Sequence, residues 1–275
     1  MSSNLPMVFS VTSGKGGVGK TNISVNLACH LSRMGKKVLV LDADLGLANV
    51  DVLLGIAPKY NLFHLFHEGT SIRDVLYKTE FGFDILPASS GVSDMVSLST
   101  GQKLDLLEAM DHLEEEIDYL IVDTGAGINE NVLYFNLAVQ ERLLVLTPEP
   151  TSLTDAYALI KVMKLNHGVD KFKILVNMAP DMVTAKDIFK KLYMACDHFL
   201  SGVSLELTGV IPRDPKMREA VINQTPLCKL SPSSPACIKI GEAAKKITTW
   251  KSTSELDGNI KFFWKKLLFQ EQSVA

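Results

Sequence analysis

Gly14-Lys15-Gly16-Gly17-Val18-Gly19-Lys20-Thr21 is the stretch on which the fold turns. It has the spacing GxxxxGK[ST], follows an apolar run of strand length at 7–12, and opens a segment of helical periodicity at 20–34. Glycines let the backbone turn and aim its N–H groups into one concavity, and the helix N-terminus behind them adds partial positive charge. The product is a cradle for phosphate oxygens. Within such a cradle Lys20 reaches the β and γ phosphates of a nucleotide and the Thr21 hydroxyl ligates Mg²⁺.

Outward from this loop, short apolar runs alternate with helical segments. Strands are expected at 7–12, 37–41, 83–86, 119–122, 143–147, 172–177 and 207–211, and helices at 20–34, 102–116, 129–140, 152–166, 184–199, 215–223 and 236–250. Several strands read as unbroken Val, Ile and Leu, the composition of strands buried on both faces. The expectation is an α/β fold: a mostly parallel sheet covered by helices on both faces. Ser231-Pro232-Ser233-Ser234-Pro235 interrupts the chain before the last of these helices, and a polar link at 251–258 leads to a separate tail. Residues 1–250 thus form one domain and 251–275 a linker with an amphipathic helix.

Two carboxylate positions belong with the loop. Leu41-Asp42-Ala43-Asp44 ends the second strand, and Asp123 follows Tyr119-Leu120-Ile121-Val122. At the carboxyl end of a strand, an acid faces the ligand crevice of an open α/β sheet, where it holds Mg²⁺ waters or orients an attacking water. Taken singly, each could equally cap the turn that follows it. Lys15 is a second lysine in the loop, either a solvated charge or one that stabilises a phosphoryl transition state, its own or a neighbouring subunit's. Asn177 and Pro212-Arg213-Asp214 end two further strands, where polar residues and proline also serve simply to terminate them.

The string Lys15-Gly16-Gly17-Val18-Gly19-Lys20-Thr21 resembles the deviant Walker motif of the MinD and ParA ATPases. That resemblance implies a MinD-like P-loop NTPase that binds and hydrolyses ATP with Mg²⁺ as an ATP-dependent homodimer, Lys15 reaching across to the partner's nucleotide. It assigns Gly14 to Thr21 and the adjoining Asn22 to nucleotide binding. Asp44 would position the hydrolytic water, Asp42 and Asp123 would serve with Thr21 in the Mg²⁺ shell, and Asn177, Pro212, Arg213 and Asp214 would contact adenine. Longer strings sharpen the resemblance: Asp42 to Gly55, Pro87 to Gly91, Asp123 to Gly127 and Glu149 to Lys161 are similar to the flagellar number regulators FlhG and FleN. What this implies is a switch controlling flagellar number or placement through an FlhF-type GTPase, a flagellar switch-complex protein or a flagellar transcriptional activator. Many FlhG proteins carry an N-terminal Asp-Gln-Ala-x-x-Leu-Arg segment tied to stimulating FlhF; only Met1 to Pro6 precede the first strand here, as in the shorter FleN-like form. A MinD-type division-site ATPase is the nearest alternative, and a ParA-like DNA-segregating ATPase a further one.

Composition narrows the remaining choices. With 275 residues, 47% hydrophobic and 21% charged, the chain has ample material for a core. A formal charge of −3 argues against direct nucleic-acid binding, no apolar run is long enough to span a bilayer, and the first residues are too few and too polar for a signal peptide. Cys29, Cys196, Cys228 and Cys237 show neither a CxxC pair nor zinc-finger spacing, so all four are expected as buried thiols rather than a disulfide or metal framework. The tail at 259–269 carries three lysines and no acid, with Ile260, Phe263, Trp264 and Leu267 on one helical face and Leu268 at its edge. This is the pattern of an interfacial helix on anionic lipid. The expected location is therefore cytoplasmic, peripherally attached to the inner face of the cell membrane.

Overall fold

In the computed structural model, β1 (Met7–Ser13) is buried along its whole length because it runs down the middle of the sheet. The described residues are 6–44, 50–61, 64, 70–87, 113 and 116–250. Around β1 stand β2 (Val38–Ala43), β3 (Tyr77–Lys78), β4 (Asp84–Pro87), β5 (Tyr119–Ala126), β6 (Glu141–Leu146), β7 (Lys171–Ala179) and β8 (Ser204–Pro212). Their order is β3-β4-β2-β5-β1-β6-β7-β8, and every pairing is parallel except that of β3 with β4. The chain leaves β1 toward β2 on one side and later enters β6 on the other. That reversal at β1 is the switch point where an open parallel sheet forms its ligand crevice.

Side chains along each strand alternate between two helical layers. Phe9, Val11, Val40, Ile121 and Val145 meet α1 (Lys20–Arg33), α2 (Val50–Leu54), α8 (Leu227–Leu230) and α9 (Pro235–Ile247). On the other face Val8, Leu120, Leu144 and Ile174 meet α3 (Ile72–Val75), α4 (Glu130–Ala138), α5 (Pro150–His167) and α6 (Met182–Phe199). One more helix, α7 (Pro215–Ile222), connects β8 to α8. Local signals set the helix ends: Asn129, Asp181 and Ser234 each accept a hydrogen bond from a first-turn N–H, and α5 starts on Pro150 and stops at Gly168 in the left-handed region. No helix among the described residues is long and apolar enough to cross a membrane.

Apart from the helix expected at 102–116, the expected strands and helices recur with shifted ends; the structure adds the short helices α2, α3 and α8 and differs in two further respects. Tyr77–Lys78 adds an antiparallel edge strand that two residues are too few to announce. The last helix stops at Ile247, and Trp250 turns back to pack edge-on against Phe9 with ring centroids 5.4 Å apart. The helix expected at 102–116 lies almost wholly outside the described residues, as do the tail positions Ile260, Phe263, Trp264, Leu267 and Leu268.

The cysteine expectation is corrected. Cys29 on α1 and Cys228 on α8 form a disulfide across a separation of 199 residues, leaving Cys196 and Cys237 as the free thiols. Spacing could not reveal this, because the pairing depends on α8 lying beside α1. Asn26, one turn before Cys29, fixes that contact by accepting a hydrogen bond from the Cys228 N–H at 3.0 Å. Titration of the denatured, unreduced protein with a thiol reagent is expected to count two thiols, rising to four after reduction. Four before reduction would refute the pairing.

Candidate nucleotide site

The phosphate loop leaves β1 and meets α5 at very short range. A side chain on Gly14 would collide with the main-chain carbonyl of Asp155, so only glycine lets the loop lie on that helix. Gly19, at φ 88°, turns the chain into α1, and a Cβ there would stand 2.7 Å from the Asn177 side-chain nitrogen. Among the described residues no side chain caps α1. Its first-turn N–H groups, with those of the loop, face the crevice as donors for phosphate oxygens. Lys20 is nearly buried, and burial pulls its ammonium below the usual lysine range, opposed by the negative charges of Asp123 and Asp44.

Alternation along β5 carries Asp123 onto the face that looks at α1, two residues beyond Ile121. It is fully buried, and one carboxylate oxygen accepts a hydrogen bond from Ser24 Oγ at 2.7 Å. The other oxygen has no partner among the described residues. Burial pushes the Asp123 carboxyl up to about 6, against the lowering effects of Ser24, Thr21 and Lys20. A buried carboxylate with an unsatisfied oxygen beside a threonine hydroxyl is a donor set suited to a hard cation such as Mg²⁺. Asp42 stands level with Asp123 in the register of β2 and β5, and its two oxygens accept from the N–H groups of Asp44 and Val50 at 3.3 and 3.2 Å. It thereby shapes the turn that presents Asp44. The Asp44 carboxylate lies against Gly125, where an added Cβ would approach it to 3.3 Å.

Lys15 is held within its own chain. Its ammonium pairs with Glu149 Oε2 at 2.7 Å and donates to Thr151 Oγ1 at 2.8 Å, both at the start of α5. The pair sits on the rim, with the lysine side chain 35% exposed and the glutamate 59%.

On the far side of the loop, Asn177 Nδ2 donates to the Val18 carbonyl at 2.8 Å, tying the end of β7 to the loop. Arg213 is exposed and its N–H bonds the Ala179 carbonyl at 2.9 Å. Asp214 caps α7 by accepting from the Lys216 N–H, and it also accepts from the Ala236 N–H at the start of α9. Pro212 lines an apolar cavity of about 340 Å³ with Ala179, Met182 and Ile238. Asn22 stays on α1, where its carbonyl accepts from the Asn26 side chain. Of the residues expected at the site, Gly14 to Thr21, Asp42, Asp44 and Asp123 converge at one end of the sheet, with Asn177 and 212–214 flanking them. Ser24 and Glu149 were not expected; Ser24 is one helical turn beyond Lys20, which is the signal that could have found it.

The family model described as AAA domain matches residues 7–182. The chain is 45% identical to the antiactivator FleN of Pseudomonas aeruginosa over 95% of its length and 93% of that protein's. It is 32% identical to the flagellum site-determining protein YlxH of Helicobacter pylori, covering 94% of this chain and 89% of that one. The fold is similar to the septum site-determining protein MinD of Pyrococcus horikoshii complexed with Mg-ADP, at a TM-score of 0.69 and 26% identity, covering 89% and 96% of the two chains.

The geometry makes one measurable demand. Asp123→Asn removes a buried charge at neutral pH, so the nucleotide-free variant is expected to melt higher than wild type, by a stabilisation on the order of 2–3 kcal/mol, while Mg²⁺-dependent ATP turnover is lost. Loop, carboxylates and relatives agree, and the chain belongs to the MinD/ParA-type family of P-loop ATPases.

Proposed function

We propose that this ATPase is a molecular switch that pairs with a second copy when ATP is bound, associates with the inner face of the cell membrane through its tail, and regulates the number or placement of flagella. The similarity to FleN along nearly the whole chain carries this reading, and the flagellar name of YlxH supports it. The body at 1–250 would carry the ATPase and 251–275 the membrane segment, with Ile260, Phe263, Trp264, Leu267 and Leu268 entering the lipid boundary.

Each residue has a distinct task in this reading. Loop N–H groups and Lys20 bind the phosphates of ATP. Thr21 and Asp123, with Asp42 beside them, would hold Mg²⁺, which supplies neutralisation of phosphate charge. Asp44, resting on Gly125, orients the attacking water. Lys15 stands apart from this set, because its partners lie on the rim. An ion pair so exposed contributes roughly 0–1 kcal/mol, so a phosphate anion presented by a second subunit can draw the lysine away from Glu149. Partners of the switch would be an FlhF-type GTPase, a flagellar switch-complex protein or a flagellar transcriptional activator.

A second reading, placement of the division site, is supported by the likeness to MinD. Deletion of the gene separates the two: altered flagellar number supports the first and minicells the second. At the level of the protein, Asp44→Ala is expected to accumulate as an ATP-bound dimer in sizing experiments, with turnover reduced at least tenfold. Lys20→Ala instead weakens ATP binding and stays monomeric. Wild-type turnover in Asp44→Ala would remove that residue from the reaction. Deleting residues 259–275 is expected to abolish ATP-dependent sedimentation with anionic liposomes while leaving nucleotide affinity unchanged.

A further inference from the structure

The turn after α7 holds a residue that its backbone does not favour. Helix α7 ends at the C-cap Asn223, and Gln224 follows at φ 49°, in the left-handed region. Glycine is the usual occupant of that position, because a Cβ there crowds the backbone. Main-chain bonds close the turn: the Gln224 N–H donates to the Val221 carbonyl at 3.1 Å and the Thr225 N–H to the Ala220 carbonyl at 3.0 Å. Glycine would make the same bonds with less strain. What glutamine adds is its side chain, and strain retained for a side chain points to a task for it.

That side chain crosses to a segment 172 residues earlier. Gln224 Nε2 donates to the Val52 carbonyl of α2 at 2.9 Å, and the amide lies so close over Gly55 that a Cβ there would stand 2.8 Å from Oε1. Helix α2 has five residues, too few to be stable on its own, and the last carbonyls of any helix lack partners within it. Locally, the Val52 carbonyl has the Gly55 N–H at 3.3 Å, a long bond. Gln224 supplies the shorter one.

At its other end α2 is tied to the nucleotide site. Asp42 Oδ2 accepts from the N–H of Val50, the first residue of α2, and Oδ1 of the same carboxylate accepts from the Asp44 N–H. Asp42 therefore joins α2 to the turn that presents Asp44, while buried Val50 and Leu54 seat the helix on the core. We infer that Gln224 is a positioning residue for ATP hydrolysis: by holding α2 it fixes, through Asp42, the place of the Asp44 carboxylate. The inference rests on the reading of Asp44 as the residue that orients the attacking water. Gln224 acts through α2 and stands outside the phosphate loop, so its loss slows turnover without weakening ATP binding.

The test combines steady-state ATPase kinetics, calorimetric ATP binding and hydrogen exchange of the α2 amides on the full-length chain. Gln224→Gly suits the left-handed backbone and removes the side chain, so it is expected to melt close to wild type and to exchange faster at α2. Its kcat is expected to fall about fivefold, with KM and Kd for ATP within about twofold of wild type. Gln224→Lys, which returns a long donor to the Val52 carbonyl, is expected to recover most of kcat. Wild-type kcat in Gln224→Gly, an equal loss of ATP affinity and kcat, or no recovery in Gln224→Lys would each overturn the inference. Asp44→Ala, measured alongside, separates the two failures. Wild-type turnover there overturns the role of Asp44 itself, whereas loss there with wild-type kcat in Gln224→Gly overturns only the role of Gln224.

Discussion

The carboxyl edge of the sheet depends on how closely α5 approaches the phosphate loop. Gly14 lies so near the Asp155 carbonyl that no side chain fits between them. That contact sets the height of α5 against β1 and therefore brings Glu149 and Thr151, at the helix start, to the rim of the loop. Lys15 can reach them only because of it. On the other flank Asn177 ties β7 to Val18. The loop is thus clamped from both sides by elements that are distant in sequence, which is how a glycine-rich segment keeps one shape despite the entropy of its glycines.

Electrostatics divide the crevice into unlike halves. Toward β5 and β2 stand three carboxylates, and the most buried of them, Asp123, is pushed up to about 6 by the loss of water around it. Lys20 lies between this acidic wall and the loop, its own charge disfavoured by burial and favoured by Asp123 and Asp44. Burial works against both charges, and among the described residues one Asp123 oxygen has no partner. Such mutual dissatisfaction marks functional sites, because a bound cation and phosphates complete what the fold leaves unfinished. Toward β7 and β8 lies instead the cavity lined by apolar atoms of Ala179, Met182, Pro212 and Ile238.

How much of this was legible in the sequence follows from what each signal encodes. Strands buried on both faces write themselves as continuous apolar runs, so β1, β2, β5, β6 and β7 were readable, although their ends lie up to a few residues from the apolar runs. The loop was readable because its chemistry demands glycines and lysine at fixed spacing. Contacts between distant segments leave no such trace. Nothing around Cys29 announces Cys228, since their pairing follows from the packing of α8 on α1. Nothing around Lys15 announces Glu149, and a β-bulge at Asn177 and Met178 arises from the register between β7 and β8 rather than from either strand alone. Short elements such as α2, α8 and β3 escape periodicity because they are shorter than the window in which a period can be seen.

One element joins the nucleotide edge to the opposite edge. Helix α9 begins where the Ala236 N–H bonds the Asp214 carboxylate, in the turn that follows β8, and its 13 residues run about 20 Å down the face of the sheet. Along the way it packs against α1, with Cys237 Sγ 3.4 Å from His30 Nε2 and Gly241 leaving room for the same ring. Past its end Trp250 is wedged between Phe9 and the ammonium of Lys173, while Lys246 and Lys173 both grip Glu206. The helix is therefore fastened at both ends and along one side to the helix that carries Lys20 and Thr21. A shift of the Arg213-Asp214 turn against α1 has few ways to be absorbed in between, because close-packed interiors transmit displacement instead of damping it. Trp250, the last described residue, lies past the end of α9, so one rigid helix links the turn bordering the nucleotide crevice to this end of the described chain.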